Sequence, residues 1–271
     1  MSQSFFTKHL CSKILLILAA LVLSNSCATS PSGRKQLILL PASQLDQMGA
    51  TSFTQLKEQK STTKDTKAVA YVTCITHHLL VAMGEKPESW QIEVFNDDSP
   101  NAFALPGRKM GIHTGMLKLA HNQDQIAAVI GHEIGHVLAQ HGNERMSQGL
   151  VSQLGLQATA ITLGQDRLQD QLIVGALGIG LQVGVLLPFS RTHETEADRL
   201  GLKYMAEAGF DPRQASELWK LMDQAAGGSA PPEFLSTHPS SKSRIKDLEK
   251  RAQKHMAAFE AVPQKPQCKR S

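Results

Sequence analysis

Apolar residues recur at helical spacing over residues 42–60 and 66–83, in the second stretch at Ala68, Tyr71, Val72, Ile75 and Leu79. Steps of three and four place them on one face, so two amphipathic helices are expected, the second stopped by Gly84. The period then changes. Trp90, Ile92, Val94 and Phe95 read as a strand, 96–100 (Asn-Asp-Asp-Ser-Pro) as a turn, and 101–107 and 110–114 as two further short strands. From Asp124 the helical period returns through Ile126, Ala127, Val129, Ile130, Ile134, Val137 and Leu138, and continues to about His141.

Residues 150–187 are apolar and studded with glycine, with a near-continuous apolar run over 172–181, until Pro188 ends the stretch. Packed helices are expected there, with a membrane-dipping hairpin as the alternative, because the run is too short to span a bilayer. A helix over 192–208 stops at Gly209. Asp211 and Pro212 then read as the cap and first-turn proline of a helix through Trp219 and Leu221, closed by Gly227 and Gly228. After 231–239, the spacing of Ile245, Leu248 and Ala252 gives a last helix, and 263–271 form a polar tail. No repeat or internal boundary divides the body, so 36–262 is expected to be one domain.

Composition sharpens this picture. A chain with 41% hydrophobic and 19% charged residues is neither disordered nor fibrous. Aromatic residues are only 5%, so the core must be mainly aliphatic, which favours packed helices over a β-sandwich. The fold expected is α+β, predominantly helical, with a small sheet. Of the formal charge of +4, two units belong to Lys8 and Lys13 near the N-terminus. Basic residues elsewhere are scattered, so nucleic acid is not an expected partner.

Residues 1–26 pair a polar stretch bearing those lysines with an apolar run over 14–23, the pattern of a signal peptide. Cys27 stands where bacterial lipoproteins are acylated, although Ser24 takes the place of the usual aliphatic residue. Ala28 follows, and a residue other than Asp there implies the outer membrane, on its periplasmic face. The small, polar stretch 27–35 reads as a tether. With Cys11 removed and Cys27 modified, Cys74 and Cys268 remain, and the sequence leaves open whether they join.

The chemistry concentrates at His132, Glu133 and His136. Four residues apart on a helix, the two imidazoles share one face and reach one metal ion, with Glu133 beside an open position. A catalytic metal needs a third protein ligand. Glu194 and Asp198 share a face of the later helix, and spacing alone leaves them tied, while Glu196 points elsewhere. His141 lies off the metal-facing stripe as a structural helix-end residue, and His193 faces another way. His77, His78, His113 and His121 have no ligand spacing.

This pattern, a His-Glu-x-x-His helix followed by Glu194-x-x-x-Asp198, resembles a family of zinc metallopeptidases. That family includes the CAAX prenyl endopeptidases, HtpX, BepA and LoiP. Asn101-Ala102-Phe103-Ala104, Ser190-Arg191 and His238-Pro239 agree with it, and the resemblance runs from about residue 33 to 248. It implies a zincin-like fold holding one zinc ion (Zn2+) on His132, His136 and Glu194, with Asp198 orienting an imidazole. It makes Glu133 the general base and brings His238 to the metal, to stabilise an oxyanion or to fill the open position. A strand at Asn101, Ala102, Phe103 and Ala104 would hold an extended substrate. The pattern shows neither the transmembrane helices of the CAAX enzymes and HtpX nor the repeats of BepA, so the compact LoiP-like lipoproteins are the nearest branch. Unfolded or misassembled envelope proteins are the implied substrates. The rival is a latent or chaperone-like binding lipoprotein with a closed or structural zinc site.

Overall fold

The computed structural model describes residues 27–162, 189–227 and 233–270, so the expected signal peptide and the apolar run at 172–181 lie outside the described residues. The chain opens with a hairpin of β1 (Cys27–Thr29) and β2 (Lys35–Leu37), paired antiparallel. Two helices follow, α1 (Ala42–Gln59) and α2 (Thr66–Ala82), the latter capped by Asp65, whose carboxylate accepts the amides of Lys67 and Ala68. Strands β3 (Gln91–Phe95), β4 (Ala102–Leu105) and β5 (Lys109–His113) form a sheet in the order β3-β5-β4, with β3 parallel and β4 antiparallel to β5. After the short α3 (Thr114–Leu119) come α4 (Gln123–Leu138), α5 (His141–Thr162), α6 (Arg191–Glu207) and α7 (Gln214–Ala226). The chain ends with α8 (Glu233–Thr237), α9 (Lys242–Lys254) and α10 (Met256–Ala261). The result is a mostly helical α+β fold with a small sheet beside α4, as the hydrophobic pattern predicts.

Helix α4 is the axis of the core. Every residue from Gln125 to His136 is buried, so this helix is covered all round. Ile75 and Leu79 of α2, Ile112 of β5, Ile130 of α4, Met205 of α6 and Leu218 of α7 share one apolar cluster. The α4–α6 contact is the most extensive between any two described elements, and small residues permit it. A Cβ on Gly135 would stand 3.2 Å from the Ala197 carbonyl oxygen, and one on Gly201 would stand 3.2 Å from the His132 amide nitrogen.

Four details depart from the sequence reading. The stretch 27–35 is no free tether, because β1 and β2 pair and Ser30, Ser32 and Arg34 all hydrogen-bond Glu196 of α6. The helix expected to reach His141 ends at Leu138: Gln140 takes φ 52°, a left-handed turn, and His141 opens α5 instead of closing α4. Helix α7 starts at Gln214, with Asp211 and Pro212 in the preceding turn, where Asp211 Oδ1 accepts the Arg213 amide. The polar tail is fastened down. Cys268 is disulfide-bonded to Cys74 across a separation of 194 residues, and the Gln123 side chain bonds both the Pro266 carbonyl and the Cys268 amide. A link closing so long a loop acts mainly by restricting the unfolded chain. Among the described residues no helix is long and apolar enough to cross a membrane.

The close α4–α6 approach generates a test. Gly201→Val forces branched carbons against the His132 backbone, and overpacking of this kind destabilises by about 1–3 kcal/mol. A urea titration should show a lowered midpoint with an unchanged slope, whereas a midpoint equal to the parent's would show that the helices have room to spare.

Candidate metal centre

The glycines that let α6 approach also aim its carboxylates. Gly131 and Gly135 lie one residue before His132 and His136, so the face of α4 that meets α6 is flanked by both imidazoles. Ser190 caps α6 by accepting the His193 amide, which starts the helix about two turns ahead of Asp198, with Glu194 one turn ahead of Asp198 and level with the histidines. His132, His136, Glu194 and His238 are all buried, and one ligand atom from each lies within 4.8 Å of the others.

The spacing within the group is regular. His132 Nε2 lies 3.1 Å from His136 Nε2, 3.5 Å from Glu194 Oε2 and 3.2 Å from His238 Nδ1. Glu194 Oε1 lies 3.4 Å from His136 Nε2 and 2.9 Å from His238 Nδ1. A metal bound at about 2.1 Å by imidazole and carboxylate in a tetrahedron has corners about 3.4 Å apart, so these residues fit such an ion. The charges agree. Burial opposes a charged His132, yet the carboxylates of Asp198 and Glu194 hold its pKa up to about 9. Burial works against ionised Glu194 too, but the neighbouring histidines keep it well below the usual carboxylate range. The pocket favours positive charge at its centre.

Each histidine on α4 has its own support. His132 Nδ1 lies 2.9 Å from Asp198 Oδ1, and Arg244 donates to both Asp198 oxygens from Nε and Nη2, each at 2.8 Å. Arg244 Nη1 also stands 2.5 Å from Glu194 Oε2, and its guanidinium lies 3.7 Å over the Trp219 ring. His136 Nδ1 meets His141 Nδ1 at 2.9 Å, so His141 is not the bystander its spacing suggests. Burial, with His193 beside it, lowers the His141 pKa to about 4, so this ring is neutral. His193 itself faces away from the group, toward Glu144 at 3.0 Å, and Glu196 is likewise not among the four grouped residues.

Glu133 sits beside the group. Its Oε2 accepts the Ala104 amide of β4 at 3.3 Å, while Oε1 is buried with no hydrogen-bond partner, 3.4 Å from His238 Nε2. Burial raises its pKa, as expected of a carboxyl held ready to take a proton. His238 is clamped between Phe189 and Phe234, whose rings stack on it at 5.2 and 4.5 Å. Of the expected substrate strand, 102–105 form the sheet edge, and among the described residues β4 pairs only with β5. Asn101 lies just before it and accepts the His113 amide, while the Phe103 ring covers Gly111. A cavity of about 280 Å³ opens next to His136 and Ala104, walled by Leu45, Trp90, Leu105 and Phe189.

The profile of peptidase family M48 matches residues 66–252, which include every member of this group. The chain belongs to that family. Its relatives include the mitochondrial metalloendopeptidase OMA1 of Schizosaccharomyces pombe, 40% identical over 181 residues, covering 66% of this chain and 51% of that one. The OMA1 metalloendopeptidase of Bos taurus is 32% identical over 234 residues, covering 81% and 44%. The beta-barrel assembly-enhancing protease of Escherichia coli is 30% identical over 212 residues, covering 76% and 43%. The chain thus spans about half the length, or less, of these relatives. Within that family match, the buried group is a possible metal site.

Arg244 was not singled out by spacing, and the pattern gives no signal for it, because Arg251 stands in the same relation to Ala252 as Arg244 does to Ile245. The geometry also separates Glu194, within the group, from Asp198, behind His132. Glu194→Ala should empty the site at ordinary metal concentrations. Asp198→Ala should still bind, weakened by about 10–100-fold, as is usual for partners that orient a ligand. A metal titration in which Asp198→Ala is the more damaging change would reverse the two roles.

Proposed function

We propose that this chain is a zinc-dependent endopeptidase of the bacterial periplasm, held to the outer membrane by lipid at Cys27 and acting on unfolded or misassembled envelope proteins. The observation that carries the reading is the buried group of His132, His136 and Glu194 with the unpartnered Glu133 oxygen beside it. Those three residues would hold the ion. Zinc would supply Lewis-acid polarisation of a peptide carbonyl and would lower the pKa of water toward about 7. Glu133 takes the proton of the attacking water and returns it to the leaving amine, a role suited to a buried carboxyl whose pKa is raised.

The other residues bind and orient. Strand β4 offers its open edge to an extended chain, and main-chain bonding of this kind recognises conformation more than sequence. The adjoining cavity, whose lining includes Leu45, Trp90, Leu105 and Phe189 as well as Glu85 and Arg108, suits a side chain with a non-polar body next to the cleaved bond. Substrates with exposed apolar strands, such as unfolded envelope proteins, meet both requirements. The relative named for β-barrel assembly supports an envelope setting.

A second reading has its own observation. His238 Nδ1 stands 3.2 Å from His132 Nε2 and 2.9 Å from Glu194 Oε1, in the corner that water needs. On this second reading His238 keeps that corner closed, and a chain that never leaves the arrangement would be a latent or chaperone-like lipoprotein.

Glu133→Gln separates the readings. The amide keeps shape but takes no proton, so the variant should bind one zinc per chain and cleave an unfolded protein at least about 100-fold more slowly than the parent. Parent and variant cleaving alike would end the endopeptidase mechanism, and a parent that captures but never cuts would favour the latent reading. For the anchor, Cys27→Ser should move the protein from the membrane fraction to the soluble periplasm, because stable attachment depends on acyl chains. An unmodified N-terminus away from Cys27, found by mass spectrometry, would remove the lipid.

A further inference from the structure

The N-terminal hairpin reaches further into the molecule than its size suggests. Arg34 donates from Nε to Glu196 Oε2 at 2.7 Å, and from Nη1 and Nη2 to the two oxygens of Glu144 at 2.7 and 2.6 Å. Ser30 and Ser32 add hydroxyl donors to Glu196 Oε1. Both carboxylates are nearly inaccessible, at 3% and 5% side-chain exposure. Glu196 in turn meets His141 Nε2 at 3.2 Å, and His141 Nδ1 meets His136 Nδ1 at 2.9 Å.

Only one arrangement of protons satisfies this chain. If His136 presents Nε2 to a metal, its proton sits on Nδ1 and is donated to His141 Nδ1. That leaves the His141 proton on Nε2, where it is donated to Glu196. Glu196 then accepts from His141, Arg34, Ser30 and Ser32 at once, each donor aimed at a fixed oxygen. His132 obtains the same service from Asp198, with Arg244 behind it. The two halves of the site are thus built alike, each ligand imidazole backed by a carboxylate and each carboxylate by an arginine, with His141 as a spacer on one side only.

We propose that Arg34, on the hairpin that begins at Cys27, is a positioning residue for the metal centre, acting through Glu196 and His141 on the ring of His136. A metal-ligating histidine is oriented by whatever accepts its second ring proton, and altering such a partner typically changes metal affinity by about 10–100-fold. An ordinary ion pair at the surface contributes little. Arg34 differs because its acceptors are buried and one of them ends on a ligand. The hairpin is then part of the catalytic body, and whatever holds or pulls Cys27 acts on a strap fastened to the active site.

The inference rests on the metal centre proposed above, and the test keeps the two apart. The full chain and the variants Arg34→Met, His141→Leu and their combination are titrated with zinc against a chromophoric chelator. They are then loaded with cobalt(II), whose visible absorption reports ligand geometry. Each single variant should bind about 10–100-fold more weakly than the parent and shift the cobalt band. The double variant should lose no more than the worse single one, since both changes break one chain of contacts. His141→Gln, which keeps an acceptor and a donor, should recover most of what His141→Leu loses. Should Arg34→Met fail to fold, Ser30→Ala with Ser32→Ala removes two of the four donors to Glu196 and should shift affinity and cobalt band the same way. Arg34→Met or the serine variant with parental affinity and spectrum overturns the proposal, as does a double variant whose loss is the product of the single losses. A parent that takes up no metal overturns the metal reading itself.

Discussion

Everything at the centre of this molecule depends on how near α6 can come to α4. Gly135 against Ala197 and Gly201 against His132 bring two backbones together with no side chain between them. Only at that separation does a glutamate of α6 reach both imidazoles of α4 on its short stem. The requirement also explains why α4 is buried on all sides, since a helix supplying both sides of a site must be fixed by packing all round. Bulk on either helix would shift ligands by tenths of an ångström, a misplacement that matters for groups meeting at about 3 Å.

Burying this many ionisable groups raises an electrostatic problem that the fold answers with two arginines. A carboxylate removed from water is tolerated only when it is paired and hydrogen-bonded. Arg244 comes from α9 near the C-terminal end and spans Asp198 and Glu194. Arg34 comes from the opposite end of the chain and spans Glu144 and Glu196. Both guanidinium groups bridge two carboxylates at once, which suits a planar group with several fixed donors better than a lysine ammonium. The consequence is that α5, α6, α9 and the hairpin are fixed to one another by charge as well as by apolar packing.

The elements legible in the sequence are those with a local signal. The alternation at Ile92 and Val94 marks a strand, and the spacing of His132 and His136 marks a shared helix face, because each period is set by the backbone geometry of a few residues. The break at Gln140 gives no such sign. The nearest glycine, Gly142, stands after His141, so the pattern reads on to His141, and only the left-handed Gln140 reveals that His141 folds back onto His136. Arg34 is hidden for a different reason. Its partners lie 110 and 162 residues away, and nothing in a small polar stretch announces that its cation will pair with two buried carboxylates. The tail misleads in the same way, since polar composition predicts mobility while Cys268 and Gln123 hold it through a few specific bonds.

The position of His238 links occupancy of the cleft to the state of the site. Its ring stacks on Phe189 and Phe234 and touches Glu194, and its backbone amide is bonded to the Phe234 carbonyl. Aromatic pairs contribute about 0.5–1.5 kcal/mol each beyond burial, and a hydrogen bond to a charged group about 1.5–3 kcal/mol. Moving His238 aside would give up these contacts, about a few kcal/mol on that scale. Binding can shift that balance only through contacts that the closed form lacks. An extended chain on β4 has them, because Ala104 lies next to both Glu133 and the cavity beside His136. On the proposed reading, a substrate able to form the added strand is the one able to displace His238, so the restraint on the ring serves as a filter for extended, unfolded chains.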